Sequence, residues 1–309
     1  MADPILHIKD GYFFEVPKFL WRQDYGSLEN VPPFLRKAHP HATLAEFNDQ
    51  MSGKILIKQP FAELRNLHDK ESGFAISKFM ILEVVATAII CFIFIRLAKR
   101  VSTGTGPRGR SWNLFEAFLI YIRDNIARPA IGHHDADRFL PLLWTMFFFI
   151  LVCNLLGMIP WAGAATGAWA TTLALATVTF ATVLVAGIVR FGPIGFWTNQ
   201  VPPMDLPLLL RPLKLLIFVI EVAGMVIKHA VLSVRLLANM VAGHIVLLAI
   251  LGLTIAAAEA AAGQWAAVAT ISIVGAILFS VLELFVAFLQ AYVFTFLSAL
   301  FIGAAVHHH

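Results

Sequence analysis

Five stretches of the chain are apolar enough and long enough to cross a lipid bilayer. They cover residues 79–97, 140–159, 168–189, 212–251 and 264–301. A helix that spans the ~30 Å hydrocarbon core needs about 20 such residues. The pattern therefore predicts an all-α polytopic membrane protein with about five membrane crossings.

The last two apolar stretches are much longer than one crossing needs. Residues 212–251 and 264–301 would each form about 55–60 Å of helix at 1.5 Å per residue. Neither stretch has an internal proline. Each is therefore either broken into two helices or tilted well beyond the usual ~20°.

Residues 112–130 show a different pattern, in which apolar and charged positions alternate at helical spacing. The apolar positions fall on one helical face: Trp112, Phe115, Phe118, Leu119, Ile122 and Ile126. Charged residues are interleaved with them: Glu116, Arg123, Asp124 and Arg128. Such a helix is expected to lie in the membrane interface rather than to cross the bilayer.

Residues 1–78 are polar, rich in proline and electrically balanced. We expect them to form an extramembrane segment with little core of its own, followed by a membrane domain over 79–306 and a histidine tail at 307–309. Across the chain 59% of residues are hydrophobic and 14% are charged. Soluble domains carry roughly 25% charged residues, so a soluble globule or a disordered protein is excluded.

The distribution of Lys and Arg predicts the orientation. Basic residues lie at 96–110, at 123–138, and at positions 190, 211 and 214, whereas the loops at 160–167 and 252–263 have none. Because basic loops stay on the cytoplasmic side, the N-terminus is expected outside and the C-terminus inside. The same rule explains the basic loops, so we expect no nucleic-acid partner.

Two loops were considered as ligand sites. The glycine-rich stretch 103–110 lacks the Gly-Lys-Ser/Thr of a phosphate loop. Residues 132–137 contain two His and two Asp, but adjacent side chains point in different directions, so a solvated loop is favoured over a metal site. We therefore expect no cofactor and no metal.

Several ionisable residues interrupt the long apolar stretches, where each is costly. Glu221, Lys228 and Arg235 are seven residues apart, close to two helical turns, so they share one face that also includes Asn239. His244 follows nine residues after Arg235, half a turn out of phase.

The last stretch carries Glu283 and Gln290, also seven residues apart and on one face. One antiparallel register of the two helices brings Arg235 level with Gln290 and His244 level with Glu283. Asn239 and Gln290 have two interpretations of equal weight. They take part in a shared polar path, or they form interhelical contacts that merely hold the bundle together.

Arg235 differs from the other members of this set because it cannot lose its charge. Glu and His side chains, by contrast, can exchange protons near neutral pH. A line of Glu, His and Glu interrupted by one permanent cation therefore suggests proton movement with a barrier in the middle.

Four segments resemble subunit a of the F-type ATP synthases. They are Leu232–His244 (LSVRLLANMVAGH), Glu283–Phe294 (ELFVAFLQAYVF), Phe115–Asn125 and Asn154–Pro160. The resemblance covers about residues 79–306. It implies one outer span, an amphipathic helix on the inner surface, a hairpin, and two long tilted helices against a rotating ring of c subunits.

The resemblance also implies roles for individual residues. Arg235 corresponds to the essential cation that faces the ring carboxylate. The outer half-channel corresponds to Asn239, His244, Glu283 and Gln290. The inner half-channel corresponds to Glu221, with Lys228 beside it. Some relatives carry the His and the Glu in exchanged positions.

Beyond these residues, the resemblance implies the assembly around the chain. Its partners would be the c-ring, b-type peripheral stalk subunits, the remaining synthase subunits and membrane lipid, in a bacterial inner membrane. The subunit would drive ATP synthesis by hydrogen-ion transport, with no nucleotide site of its own. The ring supplies the ion-binding carboxylate, so H+ and Na+ both stay open as the coupling ion.

Two other functions predict different patterns. A self-contained secondary transporter would have internal repeats with paired broken helices, and no repeat is visible. An intramembrane metalloprotease would need a metal motif within the spans, and His229 and His244 have no ligand-like neighbours in sequence.

Overall fold

The computed structural model describes residues 10–57, 76–102, 109–159, 162–201, 211–258 and 261–307. Within these residues, five helices are long and apolar enough to cross a membrane. The fold class predicted from the sequence, an all-α polytopic membrane protein, is therefore confirmed. The spanning helices are α3 (Lys78–Ser102), α6 (Ala136–Gly157), α7 (Trp169–Thr198), α8 (Arg211–Ala256) and α9 (Ala262–Val306).

The N-terminal segment is more ordered than its composition suggested. Strands β1 (Phe13–Glu15) and β2 (Lys54–Leu56) pair antiparallel, with Phe14 opposite Ile55. Two short helices lie between them, α1 (Pro33–Ala38) and α2 (Leu44–Met51).

Residues 10–57 bury three apolar side chains, so the core of this segment is small. Thr43 and Glu46 form a reciprocal capping box that starts α2. The helix then buries Phe47 and Met51, four residues apart on one face, while Val31 is also buried. The segment thus has a small hydrophobic core of its own.

This unit is attached directly to the first spanning helix. The Asp10 carboxylate accepts a hydrogen bond from the Phe79 amide at 3.3 Å, and the Lys78 amide donates to the Gly11 carbonyl at 2.9 Å. An acidic side chain at this position satisfies a free amide at the start of α3 and complements the helix dipole. The N-terminal unit therefore lies at the point where the chain enters its first span.

The amphipathic region is helical, as predicted, but its winding changes along its length. α4 (Arg110–Tyr121) passes into a π-helical segment, Ile122–Ala127, and then into α5 (Arg128–Ile131). The widened turn comes just before Pro129, which has no amide hydrogen to donate to the preceding turn.

The apolar face of this region packs against the membrane helices. Ile122, Ile126 and Ile131 are fully buried, and the Trp144 indole of α6 donates to the Leu119 carbonyl at 3.1 Å. On the polar side, the Arg123 guanidinium hydrogen-bonded to Asp124 holds the pKa of that carboxyl below its usual range.

The third span ends close to its predicted end, and a second helical stretch follows a break in the backbone. Its sequence predicted a stop near Arg190, Gly192 and Pro193, and the backbone does change direction there. Gly192 has φ +76°, which a residue with a side chain rarely adopts. Pro193 then begins a further helical stretch to Thr198, since proline fits the first turn of a helix.

The two long apolar stretches form unbroken helices. α8 has 46 residues and α9 has 45, which corresponds to about 70 Å of helix each. Of the two possibilities left open by the sequence, broken helices are therefore excluded. Helices of this length stay within a ~30 Å hydrocarbon slab only at a steep tilt.

Candidate functional site

The polar residues of α8 and α9 form two direct contacts where the helices run antiparallel. The first joins Asn239 and Gln290, whose side chains are hydrogen-bonded at 2.9 Å from Nδ2 to Oε1. Gln290 is buried, whereas Asn239 lies on the exposed side of α8. The sequence register had placed Gln290 level with Arg235, and the observed partner is the residue one turn further along α8.

The second contact joins His244 and Glu283. The His244 Nδ1 atom lies 3.4 Å from Glu283 Oε1, and both side chains are largely buried, at 20% and 11% exposed. The half-turn phase difference between His244 and Arg235 had argued against such a contact. The structure brings the pair together because His244 does not share the face of Arg235 but extends sideways between neighbouring helices.

The surroundings of His244 explain this position. Its Nδ1 also lies 2.9 Å from the Met240 carbonyl on the preceding turn, and its Nε2 lies 3.1 Å from the Gly157 carbonyl at the end of α6. Each of the two ring nitrogens therefore lies close to at least one oxygen atom. A neutral imidazole has one N–H to share among them, and a protonated one has two.

Gly243 is a member of this site that the sequence reasoning missed. A Cβ atom at position 243 would lie 2.6 Å from Glu283 Oε1 and 3.1 Å from Glu283 Cδ. The missing side chain thus leaves the space that the carboxylate occupies beside His244. A glycine inside a helix costs about 1 kcal/mol relative to alanine, which marks Gly243 in the sequence but marks Gly224 and Gly252 of α8 equally.

A small cavity connects the two contacts. It has a volume of about 20 Å³, and its lining includes Glu283, Asn239, Gln290 and Asn154. That volume fits roughly one water molecule, which needs two to four polar partners. The cavity can therefore link the carboxylate to the Asn239–Gln290 pair through hydrogen bonds.

Asn154 holds the wall of this cavity in place. Its amide donates to the Ala287 carbonyl of α9 at 3.3 Å, and its oxygen accepts from Thr166 Oγ1 at 2.7 Å. Thr166 belongs to a short 3-10 turn, Ala165–Gly167, between α6 and α7. One buried amide thus connects α6, α9 and that turn.

Arg235 lies apart from these contacts on the exposed face of α8. Within the part of the chain that the structure describes, its guanidinium has no hydrogen bond and no ion pair. The neighbouring Val231 and Val234 are 49% and 42% exposed. A permanent cation therefore projects from an apolar surface, where an unpaired charge costs roughly 2.5–3.5 kcal/mol at the centre of a bilayer.

Glu221 and Lys228 lie on the same exposed face, and the structure brings neither into contact with the His244–Glu283 pair. Arg235 divides the face in two. It is separated from Glu221 by about 21 Å of helix in one direction and from His244 by about 13 Å in the other. The titratable groups of α8 thus fall on both sides of one fixed positive charge.

Among the residues that the structure describes, the remaining histidines and acids do not form a second site of this kind. No group of three His, Cys, Asp or Glu residues comes together among the residues described. His229 is buried between the rings of Phe180 and Phe301, with its Nδ1 2.8 Å from the Met225 carbonyl. In the segment 132–137, the His134 ring lies 3.5 Å from the Asp135 carboxylate, and α6 begins at Ala136.

Comparison with known proteins gives consistent matches. A family model described as ATP synthase A chain matches residues 80–303. The ATP synthase subunit a of Myxococcus xanthus (strain DK1622) is 39% identical over 253 residues, covering 80% of this chain and 79% of that protein. That of Anaeromyxobacter sp. (strain Fw109-5) is 36% identical over 312 residues, covering 98% and 70%. The ATP synthase subunit a 2 of Chlorobaculum tepidum is 38% identical over 255 residues, covering 81% and 69%.

Proposed function

The chain belongs to the ATP synthase A chain family, and we propose that it translocates protons through two offset half-channels against a rotating c-ring. In this proposal it is the stator subunit of the membrane sector, coupling proton flow to rotation and ATP synthesis. It contributes no nucleotide site, and ATP is made by other subunits of the enzyme.

The observation that carries the proposal is the unpaired guanidinium of Arg235 on an apolar helix face. Among the described residues of this chain no carboxylate neutralises it. A carboxylate on a neighbouring c subunit would offset the cost of keeping this cation at membrane depth. Contact with Arg235 would in turn keep that carboxylate ionised, because an opposite charge nearby favours the charged form.

The outer half-channel is proposed to use His244, Glu283, Asn239 and Gln290. A proton that enters from outside passes between the Glu283 carboxylate and the His244 ring, which are 3.4 Å apart. The small cavity beside Glu283 extends this route to Asn239 and Gln290. The proton then neutralises the carboxylate of a c subunit that faces α8.

The inner half-channel is proposed to lie on the other side of Arg235. The neutral carboxylate moves with the ring through lipid and returns to α8 from the opposite direction. There it loses its proton towards Glu221, with Lys228 beside that route, and meets Arg235 in its charged form. Arg235 thereby prevents a proton from passing directly between the half-channels.

The energy for this cycle comes from the membrane potential and the proton gradient. One elementary charge that crosses 100 mV releases about 2.3 kcal/mol. Several protons are therefore needed for each ATP. Most of the apolar surface of α8 and α9 is not buried within this chain and is open to lipid or to a partner such as the ring.

The proposed setting is a bacterial inner membrane, with the N-terminal unit outside and the C-terminus in the cytoplasm. The family implies association with the other ATP synthase subunits. We propose the c-ring as the partner of α8 and α9, and b-type peripheral stalk subunits as further neighbours.

The proposal is tested by replacing Arg235 in the complete ATP synthase. In membrane vesicles, Arg235→Ala is expected to reduce ATP synthesis driven by a proton gradient to background while the subunits still assemble. Passive proton flow through the membrane sector should persist after the catalytic sector is removed, because the barrier between half-channels is gone. Both are measured in sodium-free buffer, which separates H+ from Na+ as the coupling ion.

The control is Arg96→Ala, which removes an arginine from the end of α3, where its guanidinium lies 3.9 Å from the Phe92 ring centre. This variant should synthesise ATP at nearly the normal rate. Normal synthesis in Arg235→Ala would overturn the proposal, and loss in both variants would indicate a general assembly defect.

A further inference from the structure

A groove on the lipid side of the bundle is not used by the proposed proton path. It has a volume of about 590 Å³ and lies between the start of α6, one face of α7 and the end of α9. Its rim carries two arginines, Arg138 and Arg190, and Val306 of α9 closes one side. None of the residues of the α8–α9 contacts lines it.

The two arginines are available to an outside ligand. Both are exposed, and over the described ranges neither guanidinium has a hydrogen bond or an ion pair within the chain. One carboxylate, Asp135, also lines the groove, and it lies 3.5 Å from His134. The rim therefore carries more positive than negative charge.

The wall of the groove is apolar and runs along α7. Val178, Val185 and Val189 repeat at helical spacing on it and are 48%, 60% and 62% exposed. From Val178 to Arg190 the helix rises about 18 Å, close to the ~15 Å depth of one leaflet of the hydrocarbon core. The groove thus has a cationic end at the depth of lipid headgroups and an apolar length that matches an acyl chain.

We propose that this groove binds one anionic phospholipid of the leaflet that we place on the cytoplasmic side. An acyl chain lies along the valine face of α7, and the phosphate lies between Arg138 and Arg190. Basic pockets between spanning helices on this side of the membrane are suited to anionic headgroups. A zwitterionic phospholipid also carries a phosphate, but its ammonium group would lie close to two guanidinium groups of like charge, so a lipid with a net negative charge is favoured.

The proposal predicts the number of phospholipids that stay bound to the purified complex. Native mass spectrometry of the complete ATP synthase, purified in detergent and supplied with phosphatidylglycerol, should show one tightly bound copy fewer in Arg138→Gln/Arg190→Gln than in the unaltered enzyme. The affinity for that copy should fall roughly thirtyfold, from the loss of two headgroup contacts. Arg138→Lys/Arg190→Lys keeps both charges and should retain the lipid.

A second variant tests the acyl-chain part independently. Val185→Trp fills the groove without changing its charge and should lose the same copy of phosphatidylglycerol. Its matched control is Val84→Trp on α3, where the valine is 68% exposed against 60% for Val185, and no loss is expected. Arg110→Gln, an exposed arginine outside the groove, controls for a general change in charge.

Three results would overturn the proposal. The first is an unchanged phosphatidylglycerol count in both groove variants. The second is equal retention of phosphatidylcholine and phosphatidylglycerol by the unaltered groove. The third is loss in the arginine variant but not in Val185→Trp, which would indicate headgroup attraction at the surface without a bound chain.

Discussion

At the scale of single residues, Gly243 decides whether the proposed proton pair can form. Gly243→Ala would place a methyl group 2.6 Å from Glu283 Oε1, and the flexible carboxylate would move rather than the backbone. Stability should therefore change little. ATP synthesis should fall by ~10- to 100-fold, because small displacements of reacting groups slow a reaction strongly. The measurement is proton-driven ATP synthesis together with the amount of assembled complex.

Gly224→Ala and Gly252→Ala are matched controls for this prediction. Both glycines lie in α8, and an added Cβ meets nothing within 4 Å at either position. Both variants should be nearly normal in activity. If they lost as much activity as Gly243→Ala, helix flexibility rather than the position of Glu283 would explain the effect.

The pairing of His244 with Glu283 leads to a second prediction at this scale. His244→Glu and Glu283→His each leave two like groups at the 3.4 Å contact, and each should lower ATP synthesis strongly. The double exchange restores one of each and should recover more activity than either single variant. Equal loss in all three would remove the argument that the pair acts together.

At the scale of elements, glycines determine how closely the helices pack. A Cβ at Gly303 of α9 would collide with the Ala130 carbonyl of α5, and one at Gly187 of α7 would collide with the Phe196 ring. Because the atom in the way at Ala130 is a backbone carbonyl, relief of this collision requires a shift of α5 or α9 itself. The amphipathic region is thereby held against the C-terminal end of α9.

Gly303→Ala is therefore expected to destabilise the membrane domain by about 1–3 kcal/mol, the usual cost of overpacking. It should lower the thermal unfolding midpoint of the purified complex. Gly275→Ala on the same helix is the control, since its Cβ would meet Ile250 Cγ2 at an ordinary 3.7 Å. An equal effect of the two substitutions would show that the close approach to α5 is not what matters.

At the scale of the whole molecule, we predict the orientation from the distribution of Lys and Arg among the loops, with the N-terminal unit outside. A chain without its native thiols (Cys91→Ser/Cys153→Ala) should accept a membrane-impermeant maleimide at Ser27→Cys from outside, in spheroplasts. His133→Cys should react only in inverted vesicles. Ser27 and His133 are both exposed, so each is a fair reporter. The reverse labelling pattern would show that the chain is inserted the other way round.

The sequence alone determined the number of spans and most of the polar positions within them. Long apolar runs can satisfy their backbone in lipid only as helices, so α3, α6, α7, α8 and α9 were each predictable. The seven-residue spacing of Glu283 and Gln290 likewise identified one face of α9. Arg235 stood out because a residue that cannot be neutralised needs a reason to be in a membrane.

Tertiary structure alone decided which of these side chains meet. Helical periodicity describes positions around one helix axis, whereas His244 is placed by the Gly157 carbonyl of α6 as well as by Glu283. The space for that carboxylate is the missing side chain of Gly243. In the N-terminal unit, β1 pairs with β2 across about 40 intervening residues. Such contacts join residues that are distant in sequence, so the packing of several elements decides them and no local pattern does.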